Sequence, residues 1–325
     1  MNYSQLNENR DKRWSRIILF ILIGIAAFST AIKELRQTGV LIADAAEYIS
    51  SWSDTLIPTA NARTPVKRVR IEKVVVSHFA QSEQRSADFR WSGALSAGQT
   101  IEIKGISGDV KAEATNGNEV QVVAVKSARR SDVNQVQIKV VQHAGGVTIC
   151  ALYPTESGYM NDCDAGPEQP RNQSGVNNND VRVDFTVQVP ARVGLVARTI
   201  NGEISATNLS GNVTAKTING SIKISTTGYA EASTINGEIS AKFGDPNWPA
   251  ALNFKTLNGE INLDLPANVS TEIEAETLNG QINSDFPINQ VSFKKRKHVR
   301  GRIGVGGREL HLKTLNGSIN LRLAS

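Results

Sequence analysis

Two carboxylates stand at matching places in a repeated motif: Glu238 and Glu260 each follow an Asn-Gly pair and precede an isoleucine. Brought together by stacking, they would offer a cation site, or an acid/base pair of the kind that cleaves glycosidic bonds. The same place in the other copies holds Glu203, Ser221, Gln281 and Ser318. A solvated polar column accounts for that mixture without chemistry, because water screens like charges at such a spacing. A second candidate is basic: Lys294, Lys295, Arg296, Lys297, Arg300 and Arg302. Such a cluster can grip phosphates of lipids, wall polymers or nucleic acid. No aromatics are interleaved with it, and lysines also protect a strand edge from edge-to-edge pairing. The expectation is a solvated strand edge, with an anionic envelope polymer as the alternative contact and no nucleic acid.

Other constellations are weaker. Gly301-Arg302-Ile303-Gly304-Val305-Gly306-Gly307 has neither dinucleotide spacing nor a Gly-Lys-Ser/Thr ending, so it reads as a turn. His78, His143, His298 and His311 are scattered, without paired ligand spacing or a nucleophile to activate, and read as structural. No Gly-x-Ser-x-Gly elbow and no two-cysteine metal motif occurs. No catalytic residue, cofactor or metal is expected.

These residues need elements to position them, and the signature that supplies them is a repeat. Thr-(Ile/Leu)-Asn-Gly, then any residue, then Ile, begins at Thr199, Thr217, Thr234, Thr256, Thr277 and Thr314. The turn pairs are Asn201-Gly202, Asn219-Gly220, Asn236-Gly237, Asn258-Gly259, Asn279-Gly280 and Asn316-Gly317. Steps are 18, 17, 22, 21 and 37 residues, the last about twice the others, as if a coil had lost its signature or grown an insertion. Ala114-Thr115-Asn116-Gly117 looks like an earlier degenerate copy. Residues alternate on both sides of each turn, as in Val213, Ala215 and Thr217 before and Ile222 and Ile224 after, which predicts two short strands per unit. Asn-Gly is also the best hairpin turn, so an antiparallel meander competes. A meander does not need identical residues at every second turn, whereas a solenoid stacks like side chains at ~4.8 Å. The predicted fold is therefore all-β, a right-handed parallel β-helix or solenoid.

Around the repeats the chain divides as follows. Residues 1–16 are basic, with Arg10, Lys12, Arg13 and Arg16, and 17–32 form an apolar run, the order of an export signal. As a helix that run reaches roughly 24 Å, a little short of the ~30 Å hydrocarbon core. Trp14 favours a retained single-pass anchor, with the N-terminus inside and the body in the periplasm or outside; secretion after cleavage is the alternative. Residues 33–66 read as a short helix and linker, 67–325 as the solenoid with its repeats in 181–325, and 154–180 as a long exposed loop. An early strand is expected at 70–74. Cys150 and Cys163, with twelve residues between them in a polar stretch, suit one loop-closing disulfide, which requires an oxidising compartment. Aromatics make up 6% of the chain, too few to favour a sugar-stacking cleft.

The sequence resembles the bacterial "putative adhesin" family of β-strand-repeat domains of unknown function, sometimes called toastrack-like. The resemblance is carried by Ile103 to Val110, Val147 to Pro154 with Cys163, Asp180 to Pro190, the Asn-Gly repeats, Gly301 to Gly304, and Leu312 to Ile319. It implies a β-helical fold and an envelope location, and brings no catalytic residues. The function expected is a non-enzymatic, adhesin-like binding or scaffolding module tethered to the membrane, with an envelope polymer or another protein as partner. A carbohydrate-active β-helix enzyme is the alternative. A self-associating solenoid is a third possibility, since the last repeat ends near Ser325 without an evident cap.

Overall fold

The computed structural model describes residues 85–155, 160–163, 179–292 and 297–324. The basic N-terminus 1–16, the apolar run 17–32, the helix and linker 33–66, the strand expected at 70–74, His78, and most of 154–180 lie outside the described residues. Among the described residues, no helix is long and apolar enough to cross a membrane.

The body is all-β. Its first strands are β1 (Arg85–Ala94), β2 (Thr100–Lys104), β3 (Val110–Thr115), β4 (Glu119–Ala128), β5 (Gln137–His143), β6 (Gly146–Leu152) and β7 (Arg182–Pro190). The repeats then give β8 (Gly194–Arg198), β9 (Ile204–Leu209), β10 (Val213–Lys216), β11 (Ile222–Thr226), β12 (Ala230–Asn236), β13 (Ile239–Phe243), β14 (Leu252–Asn258), β15 (Ile261–Leu265), β16 (Thr271–Thr277) and β17 (Ile282–Ser284). The chain ends with β18 (Asn289–Ser292), β19 (Lys297–Ile303), β20 (Glu309–Lys313) and β21 (Ile319–Leu323). Val213, Ala215, Ile222 and Ile224 are all buried, so the period-two pattern turns one face of each strand inward. Each coil gives one strand to each of two sheets, and the inward Val, Ile, Leu and Ala of both sheets form one core.

The first sheet runs β1-β4-β7-β3-β9-β11-β13-β15-β21-β17 and the second β18-β19-β16-β20-β14-β12-β10-β8-β2-β6-β5. Every pairing from β7 to β17, and from β6 to β16, is parallel. That excludes the meander for the repeats. Antiparallel pairs occur at the ends of the stack: β4 on β7 and β5 on β6 at one, β19 on β16 at the other. These strands lie where a raw coil face would otherwise invite another copy.

Stack order departs from chain order twice. The coil β2/β3 lies between β6/β7 and β8/β9, and the last coil, β20/β21, is inserted between β14/β15 and β16/β17. The long final step is thus an insertion: it carries the hairpin β18–β19, which closes the second sheet before the chain returns. The 22-residue step also has a cause. Between β13 and β14 the chain makes a loop whose Trp248 is buried against Phe243, ring centroids 5.7 Å apart, with Phe254 edge-on to Phe243 at 6.0 Å. An indole plugs that part of the core where other coils turn tightly.

Candidate functional site

The turn edge explains why the motif is invariant. In stack order the six threonines are Thr199, Thr217, Thr234, Thr256, Thr314 and Thr277, all buried. Each hydroxyl donates to a glycine carbonyl of the preceding coil: Gly108 at 3.1 Å, Gly202 at 3.0 Å, Gly220 at 2.9 Å, Gly237 at 3.0 Å, Gly259 at 2.9 Å and Gly317 at 2.8 Å. Beside them the asparagines form an exposed ladder, each side-chain amide nitrogen donating to Oδ1 of the one before at 2.7 to 2.8 Å, from Asn219 on Asn201 through to Asn279 on Asn316. The first rung is Ser107, bridged to Asn201. The degenerate copy is therefore Gly105 to Gly108; Ala114 to Gly117 ends β3 and turns into β4 instead.

Replacing Thr234 with valine keeps the shape and removes the donor. The half-buried Gly220 carbonyl then lacks that hydroxyl, and the body is expected to lose about 1–3 kcal/mol. The check is a lower urea midpoint at unchanged slope.

The acidic column forms as expected, with Glu238 and Glu260 on adjacent coils in the register of Ile239 beside Ile261. Both are exposed, and Glu238 Oε1 accepts from the Asn262 amide at 2.7 Å. Asn262 continues into a second ladder through Asn320 and Asn283. Because the last coil is inserted, the column reads Glu260, Ser318, Gln281 rather than Glu260, Gln281, Ser318. Between the asparagine ladder and the threonines runs an aliphatic stripe: Ile200, Ile218, Ile235 and Leu257, half-buried, then Leu315 and Leu278, 37% and 38% exposed.

The basic segment is not a free strand edge. Lys294, Lys295 and Arg296 lie outside the described residues, but β19 is an interior strand whose cations face the acids of β16. The register sets Arg302 opposite Glu272, Arg300 opposite Glu274 and His298 opposite Glu276. Arg302 meets Glu272 at 3.3 Å and His298 reaches Glu274 at 3.1 Å, while Lys297 Nζ donates to the Gly280 carbonyl. Cross-strand charge pairing of this kind fixes the register of the closing hairpin. Two histidines that look scattered in sequence also converge: His311 lies 3.5 Å from Glu274 and 3.0 Å from Glu309. Among the described residues, no group of three His, Cys, Asp or Glu is arranged to hold a metal.

Cys150 and Cys163 are bonded, with Cα atoms 5.8 Å apart. The arm carrying Cys163 is not exposed loop: Cys163 and Asn161 are buried, and Asn161 Oδ1 accepts from Tyr153 N–H at 2.5 Å. Tyr153 is buried in the corner, its hydroxyl donating to Val181 O at 3.0 Å, and burial pushes the phenol above its ordinary range. At Asp180, N–H groups of Ser131, Arg130 and Arg129 hold the carboxylate below the usual range. Sequence reasoning missed Glu102. It alternates like a solvent position yet is 3% exposed, held by Thr148 at 2.9 Å, Arg198 at 3.3 Å and Lys104 at 3.4 Å.

The family model described as Toastrack DUF4097 matches residues 64–322. Two solved structures are similar. One is a "putative cell adhesion protein" from Clostridium sporogenes ATCC 15579, 13% identical, covering 73% of this chain and 99% of its own, with a TM-score of 0.40. The other is a "putative adhesin" from Bacteroides fragilis NCTC 9343, 11% identical, covering 72% and 96%, with a TM-score of 0.33. No curated protein matches the sequence.

Proposed function

This chain belongs to the Toastrack DUF4097 family, and from that premise we propose that it is a non-enzymatic binding or scaffolding module of the cell envelope. In this reading the apolar run 17–32 holds a right-handed solenoid outside the cytoplasmic membrane. The observation that carries the proposal is the turn edge, where the six coils bearing the motif repeat an aliphatic side chain, an amide and a polar residue at ~4.8 Å steps. Such a surface suits an extended partner, a polymer or another protein, better than a small substrate. The bonded cysteine pair supports an oxidising compartment. Glu238 and Glu260 both stand in open water, and Glu238 already accepts from an asparagine, which supports a solvated column over an acid/base pair.

The test is fractionation of the expressed full-length protein, with protease accessibility and N-terminal mass on the same sample. An intact N-terminus in the membrane fraction, with the body cut only from outside, is the expected result. A soluble cytosolic product with reduced cysteines would overturn it. Glu238→Gln with Glu260→Gln should leave binding of envelope material, and any sugar-releasing activity, unchanged; loss of such an activity would establish the enzyme instead.

A further inference from the structure

On the outer face of the second sheet, at the side away from the Asn-Gly turns, one column of side chains is interrupted. It runs Thr100, Gly194, Asn212, Tyr229 in stack order, since Thr100 pairs with Gly194 and the next coils follow in register. Gly194 supplies nothing where its neighbours supply side chains, and a Cβ there would come within 3.0 Å of the Thr100 hydroxyl. The gap opens into a cleft of ≈ 390 Å³, walled by Thr100, Arg192, Val196, Asn212, Thr214 and Tyr229.

Its chemistry is not that of coil stacking. Arg192 has φ of 64°, where glycine or asparagine is favoured and a long side chain is not. No side chain among the described residues pairs with its exposed guanidinium. Asn212 Oδ1 accepts from Tyr229 N–H at 3.1 Å, which leaves the amide nitrogen to donate elsewhere. The Tyr229 hydroxyl lies 3.5 Å from Glu231, and the ring packs partly on the core, which holds it at the cleft wall. An unpaired planar cation, an aromatic ring packed on the core and neutral hydroxyl and amide groups surround a volume suited to one sugar ring.

We propose that this cleft binds a uronic acid residue of an acidic polysaccharide. The carboxylate meets Arg192, the sugar ring lies against Tyr229, and its hydroxyls are shared among Thr100, Thr214 and Asn212. A bare phosphate would use the arginine alone. The proposal rests on the binding-module reading and names its ligand class.

The test titrates purified full-length protein with galacturonate and glucuronate oligomers, a neutral galactose oligomer and inorganic phosphate, by calorimetry. Arg192→Gly is the informative variant, because glycine suits the backbone there and the fold is retained, as an unchanged melting temperature would verify. At least one uronate oligomer is expected to bind, about tenfold more weakly to Arg192→Gly and as well to Tyr229→Phe, which keeps the ring. Failure of both uronate oligomers to bind wild type, equal binding by Arg192→Gly, equal binding of the neutral oligomer, or displacement by equimolar phosphate would each overturn the proposal. Envelope material that wild type and Arg192→Gly retain equally would remove the cleft while leaving the binding module; material that wild type does not retain would remove the module itself.

Discussion

Replacing Gly237 with alanine is expected to cost the repeat body about 4 kcal/mol or more, at the far end of what single substitutions do. A Cβ at that position would lie 2.0 Å from the Gly220 carbonyl oxygen and 2.5 Å from its carbon. Both obstacles are backbone, so no side chain can swing aside. Nor can the coils part locally: the same carbonyl accepts from Thr234 at 2.9 Å, Asn236 donates to Asn219 at 2.8 Å, and Gly220 N–H donates to Asn236 O at 3.0 Å. Moving one coil would break all three bonds. The control is Gly117→Ala, whose Cβ would meet only the Thr115 hydroxyl at 3.5 Å. That variant should stay within about 0.5 kcal/mol of wild type. Urea denaturation of both decides the matter, and a Gly237→Ala midpoint close to wild type would refute close stacking at the turn.

This contact also shows where the sequence was legible and where it was not. Thr, Asn and Gly at fixed places in every unit implied columns, and alternation around each turn implied two strands, so the parallel two-sheet body followed. The role of the glycine is not displayed by the motif: Asn-Gly is known for hairpins, through positive φ, whereas the requirement here is the absence of a Cβ between coils. Stack order was hidden for a different reason. Any TLNG unit can lie on any other, because the columns are identical, so the motif carries no address. The address lies in Glu272, Glu274 and Glu276 facing His298, Arg300 and Arg302. That alternation of acids against cations is visible in the sequence, but only to a search that pairs one strand with another. Glu102 gave no signal at all, since an outward glutamate reads as solvated until the cations of neighbouring strands are placed around it.

Stack order makes an unusual pair of deletions decisive. Removing Glu309–Ser325, the last coil, should release more than itself. Leu310, Leu312, Ile319 and Leu321 are each no more than 1% exposed between the coils on either side. Their loss strips β16 of its parallel partner β20, and removes the Gly317 and Asn316 that receive the Thr277 and Asn279 bonds. Amides of Thr271–Ile303 should then exchange as if unfolded, and those of Leu252–Leu265 should lose protection at the new edge. If coils were stacked in chain order, Thr271–Ser284 would instead still lie on β14/β15 and stay protected. Removing the 38 residues Thr271–Arg308 should do the reverse. Asn258 and Asn316, 58 residues apart, are already bonded neighbours, so 58 − 38 leaves a 20-residue step, inside the range of 17 to 22 seen elsewhere. The shortened chain is expected to fold with native protection in Leu252–Leu265 and Glu309–Leu323. It would also expose the β20 edge that β16 and the closing hairpin had covered, and so associate more readily than the parent. Hydrogen exchange with mass readout on the two deletions separates the alternatives, because a chain-ordered solenoid requires the larger excision to be the more damaging one.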